Sequence, residues 1–213
     1  MIFRRFAALG LALTVSACVS TDESGPKDLG DFRLGYNIVQ ARTVKQGPFS
    51  RQVSDEQLTA ALREAVAARL NRYDGDGLYH IGISIGGFVL AQPGIPLIYT
   101  PKSALIFEVN VYDNAMGQRL NAEPKQITAF EGIENVAPIV GSGIVRGAED
   151  QLANLVASGA IQVERWLAEN PEWFTPEPGQ TRVRIDRAQL DARAEAAIAS
   201  SMAEGTPVST PVN

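Results

Sequence analysis

The chain has 213 residues, of which 45% are apolar and 20% are charged. That composition is typical of a chain able to bury a proper core. Its 19 basic and 24 acidic residues give a net charge of −5. An acidic balance argues against nucleic-acid binding, which needs a basic face, and against electrostatic adhesion to anionic lipid.

The first 17 residues predict a lipoprotein signal peptide. Arg4 and Arg5 form a short basic head before an apolar run at residues 6–15. That run is too short to span a bilayer, which takes about 20 apolar residues. Val-Ser-Ala before Cys18 resembles the bacterial lipobox. This resemblance implies that Cys18 becomes the new amino terminus and carries acyl chains such as palmitate.

Two other interpretations of this stretch are an uncleaved anchor and an ordinary cysteine beside an ordinary signal peptide. The length of the run argues against the first. The second leaves the only cysteine of a secreted chain unexplained. Cleavage before Cys18 would leave 17 basic against 24 acidic residues, a net charge of −7. Val19 follows the cysteine, which by analogy with enteric sorting signals favours the periplasmic face of the outer membrane.

Residues 18–31 are polar and predict a flexible tether. An α+β domain is then expected over residues 32–174. Its first strand alternates, with Phe32, Leu34, Tyr36 and Ile38 on one side. Ser54 and Gln57 form a capping-box pattern that opens a helix to about Arg72. The apolar stripe of this helix comprises Leu58, Leu62, Val66 and Leu70.

Three further strands are predicted as a meander. The first alternates at Ile81, Ile83 and Ile85, and the second at Leu105, Phe107, Val109 and Val111. Residues 113–117 have the composition of a hairpin turn. The third strand covers residues 126–131, with Pro124 at its start or on an edge.

A second amphipathic helix presents Ala148, Leu152, Leu155, Gly159, Val163 and Trp166 on one face and ends before Pro171. Residues 175–205 predict a Pro-rich linker and a third helix that Asp186 opens. Its apolar stripe is thin: Leu190, Ala194, Ile198 and Met202. Residues 206–213 predict a disordered tail. The element order β-α-β-β-β-α predicts an antiparallel sheet of about four strands with two helices on one face and a peripheral C-terminal helix.

No motif after Cys18 predicts catalysis, a cofactor or a metal. His80, the only histidine, is expected to point away from the Ile81 face, and no serine can be tied to it as a triad. Ser142 lies between two glycines, but a nucleophile elbow needs them one position further out, where Val140 and Ile144 stand. The Asp74–Gly77 segment resembles part of a calcium loop, but two of the carboxylate ligands that such a loop requires are missing. It is better explained as a helix-terminating turn. Glu131 and Glu134 are expected to be solvated.

The connection over residues 91–101 is unusual because it is long, apolar and rich in proline. Ile95, Leu97, Ile98 and Tyr99 lie among Pro93, Pro96 and Pro101. One interpretation is an adhesive tip that contacts a partner or a membrane. The other is a loop folded over the open end of the core.

The segment from Leu105 to Leu120, an alternating strand followed by an Asp-x-x-x-Gly turn, resembles a pattern in small proteobacterial envelope lipoproteins. Examples are transport-auxiliary lipoproteins and helix-on-sheet domains related to curli-secretion and Tol-associated proteins. The resemblance covers residues 54–131 and implies a domain that binds other envelope proteins without an active site. We therefore expect a lipid-anchored, non-enzymatic component of an envelope assembly. The alternatives are a small-ligand or lipid carrier with a cavity between sheet and helices, and an unrecognised hydrolase.

Overall fold

The computed structural model describes residues 25–48, 50–91, 103–131, 147–176, 179 and 182–203. The strands are β1 (Arg33–Gln40), β2 (Lys45–Gln46), β3 (Leu78–Val89), β4 (Ala104–Asp113), β5 (Gln118–Arg119) and β6 (Lys125–Phe130). The helices are α1 (Asp55–Leu70), α2 (Ala148–Ala168) and α3 (Arg187–Ala203), with a short 3-10 turn at Pro171–Trp173. Cys18, the stretch from Ile95 to Tyr99, Ser142, Glu134 and the tail at 206–213 lie outside the described residues.

The sheet is mixed, which corrects the prediction of a purely antiparallel sheet. Its main strands run in the order β1-β3-β4-β6, with β2 beside β3 and β5 beside β4. β1 and β2 pair with β3 in parallel, whereas β3, β4 and β6 form the predicted antiparallel meander. The parallel pair arises because α1 carries the chain from the end of β1 back to the start of β3.

Both α1 and α2 pack on one face of the sheet, as predicted. The capping box at Ser54 and Gln57 starts α1, and the stripe Leu58, Leu62, Val66 and Leu70 is buried. α2 contacts α1, β4 and β6. Beneath the helices the sheet contributes Ile81, Ile83, Ile85, Leu105, Phe107, Val109, Val111, Ile127 and Ala129. Within the described residues, no helix combines the length and apolarity that crossing a bilayer requires.

A β-bulge in β1 overturns the prediction that Phe32, Leu34, Tyr36 and Ile38 share one side. Between Leu34 and Asn37, two residues of β1 oppose one residue of β3, so the alternation shifts by one. Phe32 and Leu34 therefore remain buried under the helices, whereas Ile38 is turned to the opposite face and is 44% exposed.

Both predicted flanking segments contribute more to the domain than the sequence indicated. Leu29, placed in the tether, is 1% exposed and belongs to the core. The packed chain therefore starts at or before Leu29 instead of at residue 32. In the segment predicted as a linker, Arg182 and Arg184 form ion pairs with Asp31 and Asp74 respectively. These side chains tie the start of α3 to the domain.

Candidate functional site: the open face of the sheet

The face of the sheet opposite α1 and α2 carries large apolar side chains in solvent. We define this open face by the outward residues of the four main strands: Ile38, His80, Gly82, Ser84, Gly86, Ile106, Glu108, Asn110, Tyr112, Gln126, Thr128 and Phe130. Ile106 is 41% exposed and Phe130 is 54% exposed. A sheet face that meets only water normally alternates to polar residues. Four large apolar side chains, Ile38, Ile106, Tyr112 and Phe130, interrupt this otherwise polar or glycine-rich face and make it a candidate contact surface.

A groove crosses the open face along β3. Its volume is about 340 Å³, and its floor includes Ser84 and Gly86 between Ile106 on one side and Thr43 on the other. The outward residues of β3 after His80 are small, whereas those of β4 are large. The groove therefore exists because β3 supplies almost no side-chain volume to this face.

Two opposite charges flank this groove. Arg42 follows β1 and lines the groove on one side of β3, while Glu108 of β4 lines it on the other. Both side chains are exposed. Glu108 lies beside Ser84 in the β3–β4 register. No ion pair to Arg42 or Glu108 is seen within the described part of the chain.

His80 is a structural histidine at the edge of the open face. Its Nδ1 accepts a hydrogen bond from the backbone N–H of Tyr36 at 2.8 Å, and its Nε2 lies 3.1 Å from Oδ1 of Asn114. The Tyr36 ring stacks on the imidazole with centroids 5.1 Å apart. A β-carbon at Gly35 would collide with the same ring. His80 thus points outward as predicted, with Nδ1 bound to the β-bulge of β1 and Nε2 beside the turn that follows β4.

At one end of the sheet, side chains that pair with a buried carboxylate bind the backbone of the first described residues. Glu164 of α2 is fully buried and pairs with Arg69 at 2.7 Å and Arg72 at 2.5 Å. The Tyr73 hydroxyl also donates to Glu164 and accepts from the backbone N–H of Lys27. Arg72 donates to the carbonyl oxygen of Gly25 at 3.0 Å. We call Glu164, Arg69, Arg72 and Tyr73 the Glu164 cluster.

The charges of this cluster shift its pKa values in opposite directions. Burial acts to raise the pKa of Glu164, but the hydrogen bonds from Tyr73, Arg72 and Arg69 outweigh it and lower the net pKa. Burial and the hydrogen bond to Glu164 raise the pKa of Tyr73 to about 12. Glu164 is therefore held as an anion and Tyr73 as a neutral donor. The spacing of apolar residues in the sequence could not reveal this cluster. Glu164 is charged and lies next to the apolar stripe of α2, so the pattern does not predict that it is buried.

The turn between α1 and β3 binds the segment before α3. Asp74 and Asp76, which the sequence predicted only as part of a helix-terminating turn, both pair with Arg184. Arg33 donates to the carbonyl oxygen of Ile185 at 2.7 Å. Beyond these contacts, Leu190 is buried, and the other described side chains of α3 are exposed or partly exposed. A cavity of about 250 Å³ lies between Leu190 and residues that include Tyr73 and Leu78.

The described residues that flank segments 92–102 and 132–146 meet at the opposite end of the sheet. The backbone N–H of Ala91 donates to Oγ of Ser103, and that hydroxyl donates to Glu131 at 3.1 Å. Glu131 is half-buried and hydrogen-bonded, so the prediction of a freely solvated residue is wrong. The predicted contact residues Ile95, Leu97, Ile98 and Tyr99 belong to the segment between Ala91 and Ser103.

Within the described ranges, no three His, Cys, Asp or Glu side chains come together in a way that could hold a metal ion. The carrier alternative requires a cavity between the sheet and the helices. Neither of the two cavities described above lies there, since one is on the open face and the other is beneath α3.

No family model and no curated protein matches this chain. Several solved structures align with this chain over about two thirds of its length. A proposed lipoprotein from Caulobacter crescentus is 16% identical with a TM-score of 0.35, and the alignment covers 66% of this chain and 93% of the other. A Xanthomonas campestris protein of family DUF330 is 12% identical with a TM-score of 0.44, covering 70% and 94%. A minor lipoprotein from Acinetobacter baumannii is 13% identical with a TM-score of 0.27, covering 63% and 93%.

Proposed function

We propose that this chain is a lipid-anchored, non-enzymatic binding component of a cell-envelope assembly, on the periplasmic face of the outer membrane. The observation that carries the binding role is the open face, where Ile38, Ile106, Tyr112 and Phe130 are exposed on one side of a well-packed domain. Large apolar side chains exposed on one face of a folded domain make that face a candidate interaction site. The lipid anchor rests on the lipobox pattern that ends at Cys18.

The Glu164 cluster gives this anchor a defined attachment point. It binds the backbone at Gly25 and Lys27, next to the end of α1. Cys18 precedes Gly25 by seven residues, which span at most about 25 Å when fully extended. A lipid on Cys18 would therefore hold the end of the sheet that carries this cluster close to the membrane. We call it the anchor end.

The opposite end of the sheet would then face away from the membrane. β3 has 12 residues, so it extends about 36 Å from end to end. Ala91 and Ser103, which flank the segment with Ile95, Leu97, Ile98 and Tyr99, lie at that far end. Contacts through those residues would reach a partner in the periplasm more readily than the anchoring membrane.

The anchor is tested by mass spectrometry of the native protein and by fractionation of a Cys18→Ser variant. We expect a native chain that starts at an acylated Cys18, and a variant that keeps residues 1–17 and changes its membrane association. A native chain with Met1 intact, or with a start elsewhere and no fatty acid, would remove the anchor from the proposal.

The binding role is tested separately with photoreactive residues in intact cells. Probes at Ile106 and Tyr112 examine the open face, and probes at Leu97 and Tyr99 examine the predicted contact segment. Glu64, exposed on the outer side of α1, is the matched control position. Capture of a defined protein from Ile106 or Tyr112, but not from Glu64, supports the binding role. Equal or absent capture at all positions contradicts it.

A further inference from the structure

We propose that the occupant of the open face is a second copy of this chain, in a symmetric dimer whose twofold axis runs along β3. This inference rests on the anchored binding role proposed above and names the partner at that surface. It follows from three observations: the direction in which the open face would look, the charges that flank β3, and the small residues along β3.

The anchor determines which surfaces of two neighbouring molecules can meet. The start of the described chain is bound at the anchor end, where β1 and β3 begin. With that end at the membrane, the strands stand away from the bilayer and the open face looks sideways. A twofold axis along the strands leaves both anchor ends on the same side. Two copies held in one leaflet can therefore meet through their open faces without releasing either anchor.

The charges on the open face are arranged for such an axis. Arg42 and Glu108 lie on opposite sides of β3 and at similar heights, since both line the groove around Ser84 and Gly86. In a symmetric dimer each contact occurs twice with the roles exchanged. Rotation about an axis along β3 places Arg42 opposite the partner's Glu108, and Glu108 opposite the partner's Arg42. Two ion pairs of opposite direction would close over the groove.

The surface near the axis permits a close approach. Gly82 and Ser84 occupy outward positions of β3, and Gly86, at the irregularity between Ile85 and Gly87, lines the groove beside them. Sheets that pack face to face are about 10 Å apart, with interdigitated side chains filling the space. Large residues stand beside this line of small ones, with Ile38 on one side and Ile106, Tyr112 and Phe130 on the other. The axis along β3 places β4 opposite the partner's β1, so the dimer would bury Ile38, Ile106 and Tyr112.

A charge exchange tests this geometry with the full-length acylated protein in detergent, by analytical ultracentrifugation. Arg42→Glu and Glu108→Arg each replace two attractions by two repulsions. Each single variant should raise the dimer dissociation constant by about tenfold or more. The double variant Arg42→Glu with Glu108→Arg restores both pairs and should return the constant to within about threefold of the original. A wild-type monomer at every concentration, or a double variant as weak as the singles, would overturn the proposal.

Crosslinking in the native membrane provides a second test. Ser84→Cys places a thiol near the axis, and a short bismaleimide should join two copies, whereas Glu64→Cys and the unmodified chain should remain monomeric. If the Ile106 photoprobe instead captures only a different protein, this dimer is wrong while the proposed binding role stands. If Ile106 captures nothing and Ser84→Cys forms no dimer, both fail at this face.

Discussion

The two faces of the sheet are built from the same strands but meet different surroundings. Under α1 and α2, Phe107 is fully buried and contacts the helix layer, whereas its neighbour Ile106 on the open face is 41% exposed. The buried face explains why the domain folds, since it supplies the sheet's part of the core. The open face adds apolar area without any covering layer in the described chain. This difference shows that folding alone does not account for the exposed apolar residues of these strands.

The largest effect is expected from breaking the covered face. Phe107→Ala should lower the free energy of unfolding by about 3–5 kcal/mol, because it leaves a cavity beneath α2. The ring packs closely against α2, since a β-carbon built at Gly159 would lie 3.1 Å from it. Ile106→Ala, one residue away, is the matched control and should cost less than about 1 kcal/mol in the monomer. Urea denaturation measures both. Similar losses for the two variants would contradict the contrast between the faces.

A somewhat smaller effect is expected at the edge of the covered layer. Glu164→Gln removes the charge that pairs with Arg69 and Arg72, and should cost about 2–4 kcal/mol. Glu169→Gln, on the exposed residue that caps α2, is the control and should change stability by less than about 0.5 kcal/mol. Thermal unfolding at neutral pH distinguishes them.

The Glu164 carboxylate should also make the stability of the protein depend on pH. The pKa of Glu164 is lowered in the folded protein. It therefore contributes stability that is present above its unfolded pKa, near 4.3, and is lost as the pH falls through the folded pKa. The stability of the native protein should fall more steeply in acid than that of Glu164→Gln. Parallel curves for the two proteins would show that Glu164 does not stabilise the fold as an anion.

A substitution at the start of α1 tests whether a local capping interaction contributes less to stability than the contacts between the sheet and the helices. Ser54→Ala removes the hydroxyl that accepts from the Gln57 backbone at 3.1 Å, and should cost about 1 kcal/mol. Ser54→Asp keeps an acceptor and should restore most of that loss. Chemical denaturation is the measurement, and a loss as large as that of Phe107→Ala would contradict the ranking.

The smallest effect is expected at the attachment of α3. Arg184→Ala removes exposed ion pairs to Asp74 and Asp76, and solvent screening makes such surface pairs contribute little to stability. Global stability should hardly change, but hydrogen exchange in α3 should accelerate. Exchange that stays as slow as in the native protein would show that Leu190 is sufficient to hold the helix.

Much of the fold could be predicted from local patterns. The capping box and the four-residue spacing of Leu58, Leu62, Val66 and Leu70 predicted α1, because both signals lie within one helix. The alternation at Ile81–Ile85 and Leu105–Val111 predicted β3 and β4 for the same reason. The turn after Asp113 was also evident. Here the Asp113 carboxylate accepts from Ala115 and Met116, and Gly117 adopts a φ of 64°.

The candidate site could not be predicted in the same way. Alternation shows that Ile106 and Phe107 point in opposite directions, but not which side the helices cover. The segment chosen from sequence, Ile95 to Tyr99, lies outside the described residues, so its role as a contact stays a prediction. Arg42 and Glu108 are far apart in the chain and come to one groove only because β1 and β4 flank β3.

The sequence by itself determined the helices, the main strands and the lipobox pattern, because each depends on residues within a few positions of one another. The tertiary structure alone decided the parallel pairing of β1, the bulge held by His80, the burial of Leu29 and Glu164, and the exposure of the open face. Each of these depends on which distant segments pack together. Packing between layers is a property of the whole chain, and no short stretch of residues encodes it.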